Sequence, residues 1–211
     1  AKRRSPASAK GVQDTNVTLQ TGAVSLQIPP GVHAPPPSTV ELARLLDVRP
    51  GERVLELGCG TGLLAIAAAK LGAGHVVAVD LDGKALDAAI GNAAINGLSD
   101  RIEARAGSWY EAVKAGERFD VIIATPPQTP GKRPFGPRYG GADGARHLLA
   151  VVDGAPARLD PERGRLWMVA ITIANIPELM RRLRERFARV DVLDDTPRPF
   201  TPRASPRGAA R

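Results

Sequence analysis

One run of nine residues, Val54-Leu55-Glu56-Leu57-Gly58-Cys59-Gly60-Thr61-Gly62, limits what this chain can become more than any other segment. A β-rich stretch, Arg53–Leu57, leads into it. An Ala-rich stretch with helical character, Leu63–Leu71, leads out. Glycine at every second position lets the backbone turn sharply and lets a bound group approach it closely. A strand, a glycine turn and a helix in that order place the turn at the carboxyl end of a sheet, where open α/β folds hold ligands.

The same alternation continues down the chain. Strands are predicted at His75–Val79, Arg101–Arg105, Phe119–Ala124, Arg165–Ile173 and Val190–Leu193, and helices at Gly83–Asn96, His147–Leu159 and Pro177–Phe187. Ahead of the glycine run, residues 17–28 alternate apolar and polar around Thr21-Gly22, as in a small hairpin. Ser38 is a candidate N-cap for a helix over 39–47. Strands separated by helices imply an α/β fold with a mostly parallel sheet covered on both faces. A seventh strand is not identifiable, because residues 196–203 contain three prolines that cannot donate to a ladder. No internal repeat and no linker between two cores appears, so residues 17–200 are expected to form a single domain.

Charge is spread unevenly. The net charge is +7, and Lys2, Arg3, Arg4, Lys10, Arg203, Arg207 and Arg211 at the two ends account for all of it. Residues 1–16 and 201–211 are therefore read as disordered basic tails, available for contact with a polyanion, flanking a body of balanced charge. The basic start has no apolar stretch behind it and does not read as a secretory signal. No apolar run is long enough to span a bilayer, so no membrane partner is expected. The single cysteine, Cys59, excludes an intrachain disulfide and favours a reducing, cytoplasmic location. One cysteine and three scattered histidines do not supply a metal site.

The glycine run has an obvious rival reading as a dinucleotide loop. Its spacing is GxGxG, one residue shorter than GxGxxG, and the acidic Glu56 stands two residues before the first glycine. Asp80, at the end of the second strand of the alternation, can accept hydrogen bonds from a ribose. With Glu56, Gly58, Gly60, Gly62 and Asp80 in place, the segment resembles the class I S-adenosylmethionine-dependent methyltransferases. That resemblance implies a Rossmann-like fold and S-adenosyl-L-methionine as cofactor. It places Gly58, Cys59, Gly60 and Gly62 beneath the methionine and ribose, Glu56 toward the amino-acid end, and Asp80 on the ribose with Leu81 beside it. Ser108 would stand at the adenine amine and Trp109 against the adenine ring. Cys59 itself reads as a small packing residue, since no basic partner is identifiable to activate it.

Three further segments narrow the resemblance. Thr125-Pro126-Pro127-Gln128 follows the strongly apolar strand and resembles the (N/D/S)PP(Y/F/W) motif of amino-methyltransferases. PPGVHAPPPST, residues 29–39, and RYGGADGARHLL, residues 138–149, resemble stretches of the HemK-like "small" methyltransferases, which act on protein glutamine and on nucleic acids. In that family the first residue and the carbonyl of the following proline accept the two N–H bonds of a planar amine, and the aromatic fourth residue stacks on it. Here Thr125 can accept through its hydroxyl, Pro126 keeps its carbonyl, and Gln128 cannot stack. Thr125 is also expected to border the cofactor. A nitrogen of a protein, an RNA base or a small molecule is the expected acceptor. The alternatives are a methyltransferase fold that kept its cofactor pocket and became a binding subunit, and a small-metabolite methyltransferase with a non-amide acceptor. Arg133, Phe135, Arg138 and Tyr139 are candidates for a lid, and His33 and His147 are the histidines nearest the motifs.

Overall fold

The computed structural model describes residues 11–197. Strands β3 (Arg53–Leu57), β4 (His75–Asp80), β5 (Ile102–Ala106), β6 (Val121–Ala124) and β7 (Arg165–Met168) form one parallel sheet in the order β5-β4-β3-β6-β7. Before them come β1 (Gln13–Leu19) and β2 (Gly22–Ile28), an antiparallel hairpin with Val17 opposite Val24. The helices are α1 (Pro37–Leu45), α2 (Leu63–Leu71), α3 (Gly83–Ile95), α4 (Arg146–Gly154) and α5 (Ile176–Arg186), with a 3-10 turn at Trp109–Ala112. This is the α/β, Rossmann-like arrangement expected, with its small N-terminal hairpin.

Alternation along the strands divides the core. Val54, Val76, Ala78, Val121 and Ile123 pack with the hairpin, α1, α2 and α3 on one face. Leu55, Val77, Val79, Ile122 and Ala124 pack with Val151 of α4 on the other. Helix α2 is buried from Leu63 to Ala69, because it lies between the sheet and the hairpin. Small alanines suit that place, since bulkier side chains would hold the layers apart.

Several boundaries differ from the sequence reading. Strand β1 begins at Gln13, so residues 13–16 belong to the hairpin and not to a disordered tail. Helix α1 begins at Pro37, after Pro36 in an extended conformation, and Ser38 does not cap it. Proline is suited to a first helical turn because its missing N–H would have no partner there. Strand β7 stops at Met168 instead of Ile173, and α4 ends at Gly154 instead of Leu159. Residues 190–193 form no strand, and Val192 and Leu193 are exposed, so β7 is the edge of the described sheet. The expectations for residues 1–10 and 201–211 lie outside the described residues.

Chain order sets where a ligand can sit. The chain winds outward from β3 through β4 to β5, then returns to the other side of β3 for β6 and β7. The loops leaving β3 and β6 therefore stand side by side at the carboxyl edge, at the point where the winding reverses.

Two asparagines on α3 fasten the hairpin to this edge. The Asn92 carboxamide accepts from the Gln27 N–H at 2.7 Å and donates to the carbonyls of Gln27 and Thr61, each at 3.0 Å. Asn96, one turn on, pairs in the same way with Ser25. Asn92 is 1% exposed, so its partners have no water to replace it. Replacing Asn92 with Ala should destabilise the fold by about 3 kcal/mol, because a buried N–H and two carbonyls lose a partner. Urea unfolding measures this. A loss below about 0.5 kcal/mol, the size of an ordinary surface substitution, would show that the hairpin docks without that carboxamide.

Candidate functional site

The loop after β3 is tied to the end of β4. The N–H groups of Gly58 and Cys59 both donate to the carbonyl of Val79, at 2.8 and 3.0 Å, and the N–H of Gly60 donates to Asp80 Oδ2 at 2.9 Å. Two glycines do different things here. At Gly62, with φ of 77°, a Cβ would lie 3.0 Å from the Cα and Cβ of Ala89, so only a glycine lets α3 close on the loop. At Gly58, also with positive φ, a Cβ would point into open space. The exposed side of that turn has room for a ligand lying against the backbone.

Glu56 points from β3 to the opening turn of α2. Its Oε2 accepts from the Ala65 N–H at 2.8 Å, one of the amides a helix start leaves without a partner. The carboxyl is 2% exposed. Burial holds its pKa well above the ordinary carboxylate range. The Ala65 hydrogen bond works against that shift and the nearby Asp80 charge adds to it. Burial likewise pushes the Cys59 thiol far up, reinforced by Glu56 and Asp80. Cys59 is a packing residue of the loop, with no thiolate to offer.

A cavity of about 150 Å³ opens where the β3 and β6 loops meet. Glu56, Gly58, Cys59, Gly60 and Thr125 line it, together with Thr61, with His33 from the proline-rich segment before α1 and with Thr39 in the first turn of α1. Thr39 and Thr61 were not singled out from sequence, although Thr39 occupies the threonine of the PPPST stretch. Asp80 stands just outside, half-buried. Its second oxygen accepts from the Asp82 N–H at 3.0 Å, which leaves lone pairs on both oxygens for a ligand. Leu81 follows it, 73% exposed, an apolar surface facing solvent beside the loop. Ser108 and Trp109 are half-buried after β5. Trp109 has φ of 46°, the described non-glycine residue with positive φ, and its ring lies 5.5 Å from that of His147. Ordinary residues avoid that backbone region, and such exceptions cluster at binding sites.

The segment after β6 departs from the sequence reading. Gln128 is buried and faces away from the cavity. Its Oε1 accepts from the Ile171 N–H at 2.7 Å, and its Nε2 donates to the carbonyls of Val169 at 3.0 Å and Pro126 at 3.3 Å. The carboxamide is engaged by the chain leaving β7 and latches the β6 loop to that segment. It also explains why β7 ends at Met168, since residues 169–171 turn toward Gln128. The glycines of the Gly140–Gly144 segment close on the same residue. A Cβ at Gly140 would lie 2.4 Å from the Gln128 Cα, and one at Gly144 2.5 Å from its carbonyl oxygen. Pro127 is half-buried beside it. What this loop presents to the cavity is Thr125, half-buried.

The described residues contain no group of His, Cys, Asp and Glu able to hold a metal ion. Among them no helix is long and apolar enough to cross a membrane.

Comparison with known proteins fits this geometry. The family model described as Ribosomal protein L11 methyltransferase (PrmA) matches residues 36–125, from the start of α1 to Thr125. A release factor glutamine methyltransferase of Bordetella pertussis is 40% identical over 158 residues, 66% of this chain and 56% of that protein. A ribosomal protein L11 methyltransferase of Pelotomaculum thermopropionicum is 45% identical over 96 residues, 44% of this chain and 30% of that protein. The chain thus spans about half the length, or less, of these curated relatives. A solved ribosomal protein L11 methylase from Lactobacillus delbrueckii subsp. bulgaricus aligns with a TM-score of 0.58 at 28% identity, covering 75% of this chain and 73% of that one. With the glycine loop, the carboxylate after β4 and the parallel sheet in the expected places, the chain is similar to these methyltransferases in fold and, from α1 to Thr125, in sequence.

Proposed function

We propose that this chain transfers a methyl group from S-adenosyl-L-methionine to a nitrogen, amide or amine, of an acceptor held beside Thr125 and the Pro126 carbonyl. The observation that carries the reading is the shared cavity. The glycine loop that suits the donor and the β6 loop that suits the acceptor line one space. The cofactor supplies an electrophilic methyl group next to a sulfonium. The protein's task is then position. An acceptor nitrogen must be desolvated and its lone pair aimed at the methyl carbon, which needs hydrogen-bond acceptors more than a base. Thr125 Oγ1 and the free lone pair of the Pro126 carbonyl are the groups available for that.

In this reading Glu56 and Thr61 border the amino-acid end of the cofactor, and Gly58, Cys59, Gly60 and Gly62 lie along it. Asp80 takes the ribose hydroxyls, and Leu81, Ser108 and Trp109 enclose the adenine. The exposed Leu81 and the open space at Gly58 both suit a flat, partly apolar ligand. Residues 17–200 act as one catalytic domain. The basic ends serve as arms toward a polyanion, and the single buried cysteine suits a cytoplasmic location. The protein acceptors named for the relatives are one candidate class, an RNA base or a small metabolite the others. The engagement of Gln128 favours an acceptor that needs no stacking partner at that position. It also motivates a second reading, a subunit that binds the cofactor without catalysis.

Two measurements test the proposal. Asp80→Ala should weaken S-adenosylhomocysteine binding about tenfold to a hundredfold in calorimetry, the scale of a lost charge-assisted hydrogen-bond pair. Incubation with tritiated S-adenosylmethionine and fractionated cell components should label an acceptor, and Thr125→Ala should slow that labelling. Cofactor binding with no labelled acceptor would favour the second reading. Tight NAD(H) binding without S-adenosylhomocysteine binding would remove both.

Glu56 gives a pH signature. Its folded pKa is raised, so the folded state holds the proton more tightly than the unfolded chain. The stability this contributes is complete below the unfolded value near 4.5 and is lost as pH rises through the folded value. Glu56→Gln removes that loss. Thermal melts of the ligand-free proteins should show the variant gaining on the parent as pH rises from about 5 to 8. Parallel profiles would mean the carboxyl ionises in place without cost.

A further inference from the structure

The proposal rests on the methyltransferase reading above and concerns what delivers the acceptor. After Gln128 the chain makes a closed loop. The Thr129 N–H donates to the Arg138 carbonyl at 3.0 Å, the Gly140 N–H to the Thr129 carbonyl at 2.9 Å, and the Gly131 N–H to the Gly141 carbonyl at 3.1 Å. Pro130, Pro134 and Pro137 stiffen it, and Phe135 packs edge-on against Tyr139 with ring centroids 5.5 Å apart. The loop is therefore held in one shape. Its neck is anchored next to the site, since Thr129 follows the latch at Gln128 and begins four residues after Thr125.

This loop carries Lys132, Arg133 and Arg138, all exposed, with Arg146 at the start of α4 just beyond. None of the four has a carboxylate partner among the described residues. No acidic residue occurs between Asp120 and Asp143, and the chain outside the described residues contains no Asp or Glu. Asp143 itself is taken by the Asn175 side chain at 2.9 Å and the Ala145 N–H at 3.1 Å. Elsewhere many arginines are paired with carboxylates, and those with no ion pair among the described residues, Arg49, Arg101, Arg118, Arg158 and Arg184, are spread over separate elements. Arg105, Arg163, Arg165, Arg181 and Arg182 each meet a carboxylate at 2.5 to 2.8 Å. The contrast is local. Unneutralised cations collect on the loop beside the acceptor side of the cavity.

Phe135 stands among them, 55% exposed. Its edge-on contact with Tyr139 fixes the ring, yet over half of the residue stays in water among like charges. An acidic peptide would use the cations and leave the ring idle. A phosphodiester strand with unstacked bases uses both, the cations for phosphates and the ring face for a base. We propose that the loop of residues 129–141 is a docking surface for single-stranded polynucleotide, which brings a base-borne nitrogen to Thr125.

Fluorescence anisotropy on the full chain tests this, with labelled oligouridylate and oligothymidylate of about 20 nucleotides, enough to cover one such binding surface. Binding should weaken with salt. The triple variant Lys132→Ala, Arg133→Ala, Arg138→Ala should lower the slope of log affinity against log salt by about 2, the share of three phosphate contacts on a single strand. Phe135→Ala should cost about tenfold in affinity at an unchanged slope, because stacking releases no counterions. A triple variant with the parent's slope would overturn the proposal, placing the contacts on the basic ends. So would a polyglutamate peptide that competes equally and ignores Phe135, which would make the loop a protein-docking surface. S-adenosylhomocysteine affinity, measured alongside, should be the same in all variants. Its absence in the parent chain would sink the methyltransferase reading separately from the oligonucleotide result.

Discussion

Three successive amides, those of Gly58, Cys59 and Gly60, are drawn onto the last two residues of the neighbouring strand. Two go to the Val79 carbonyl and the third to the Asp80 carboxylate. Most of the site follows from these bonds. They bend the chain leaving β3 over the edge of β4, which forces positive φ at Gly58, Gly60 and Gly62. The bend lets α2 start with its amides facing Glu56 and lets α3 close against Gly62. They also orient Asp80, whose carboxylate is a structural acceptor first and has its remaining lone pairs aimed outward. A ligand hydroxyl would meet a carboxylate already fixed in direction, so little side-chain entropy remains to be lost on binding.

A second latch does for the loop after β6 what Asp80 does for the loop after β3. The Gln128 carboxamide joins the β6 loop to the chain leaving β7, and Gly140 and Gly144 leave room for its backbone. An aromatic residue at this position could not make those bonds. The unpaired Ile171 N–H and Val169 carbonyl would then need other partners in a buried place. The glutamine and the path of residues 169–174 are therefore one feature.

Much of this was legible in the sequence, for reasons that can be stated residue by residue. Helix α2 matches its sequence bounds because its alanines and leucines are buried all round and a glycine stands at each end, so composition and punctuation agree. The cofactor loop was legible because its chemistry is local: glycine spacing, Glu56 and Asp80 are fixed by the path of the backbone. Gln128 was not, because its partners lie 41 to 43 residues away on a segment that itself read as a strand. Pairing choices of that kind depend on tertiary contacts that no periodicity records. The expected strand at 190–193 failed similarly. A β-rich tetrapeptide forms a strand only when an edge is offered to it, and the described chain leaves Val192 and Leu193 in water.

The charge distribution shows where averaging over a sequence misleads. A body with equal numbers of acidic and basic groups looks indifferent to polyanions. Yet the carboxylates are concentrated where they pair. Glu52 holds Arg165, Glu103 and Glu117 hold Arg105, and Asp120 holds Arg163, all near the sheet. The arginine beside Glu103 and Glu117 holds both carboxyls near a pKa of about 2. Acidic charge committed there cannot screen cations elsewhere. The effective field at the loop of residues 129–141 is therefore set by Lys132, Arg133, Arg138 and Arg146 rather than by the neutral total. Screening by salt reaches about 10 Å at ordinary ionic strength, so that local excess governs what approaches the acceptor side of the cavity.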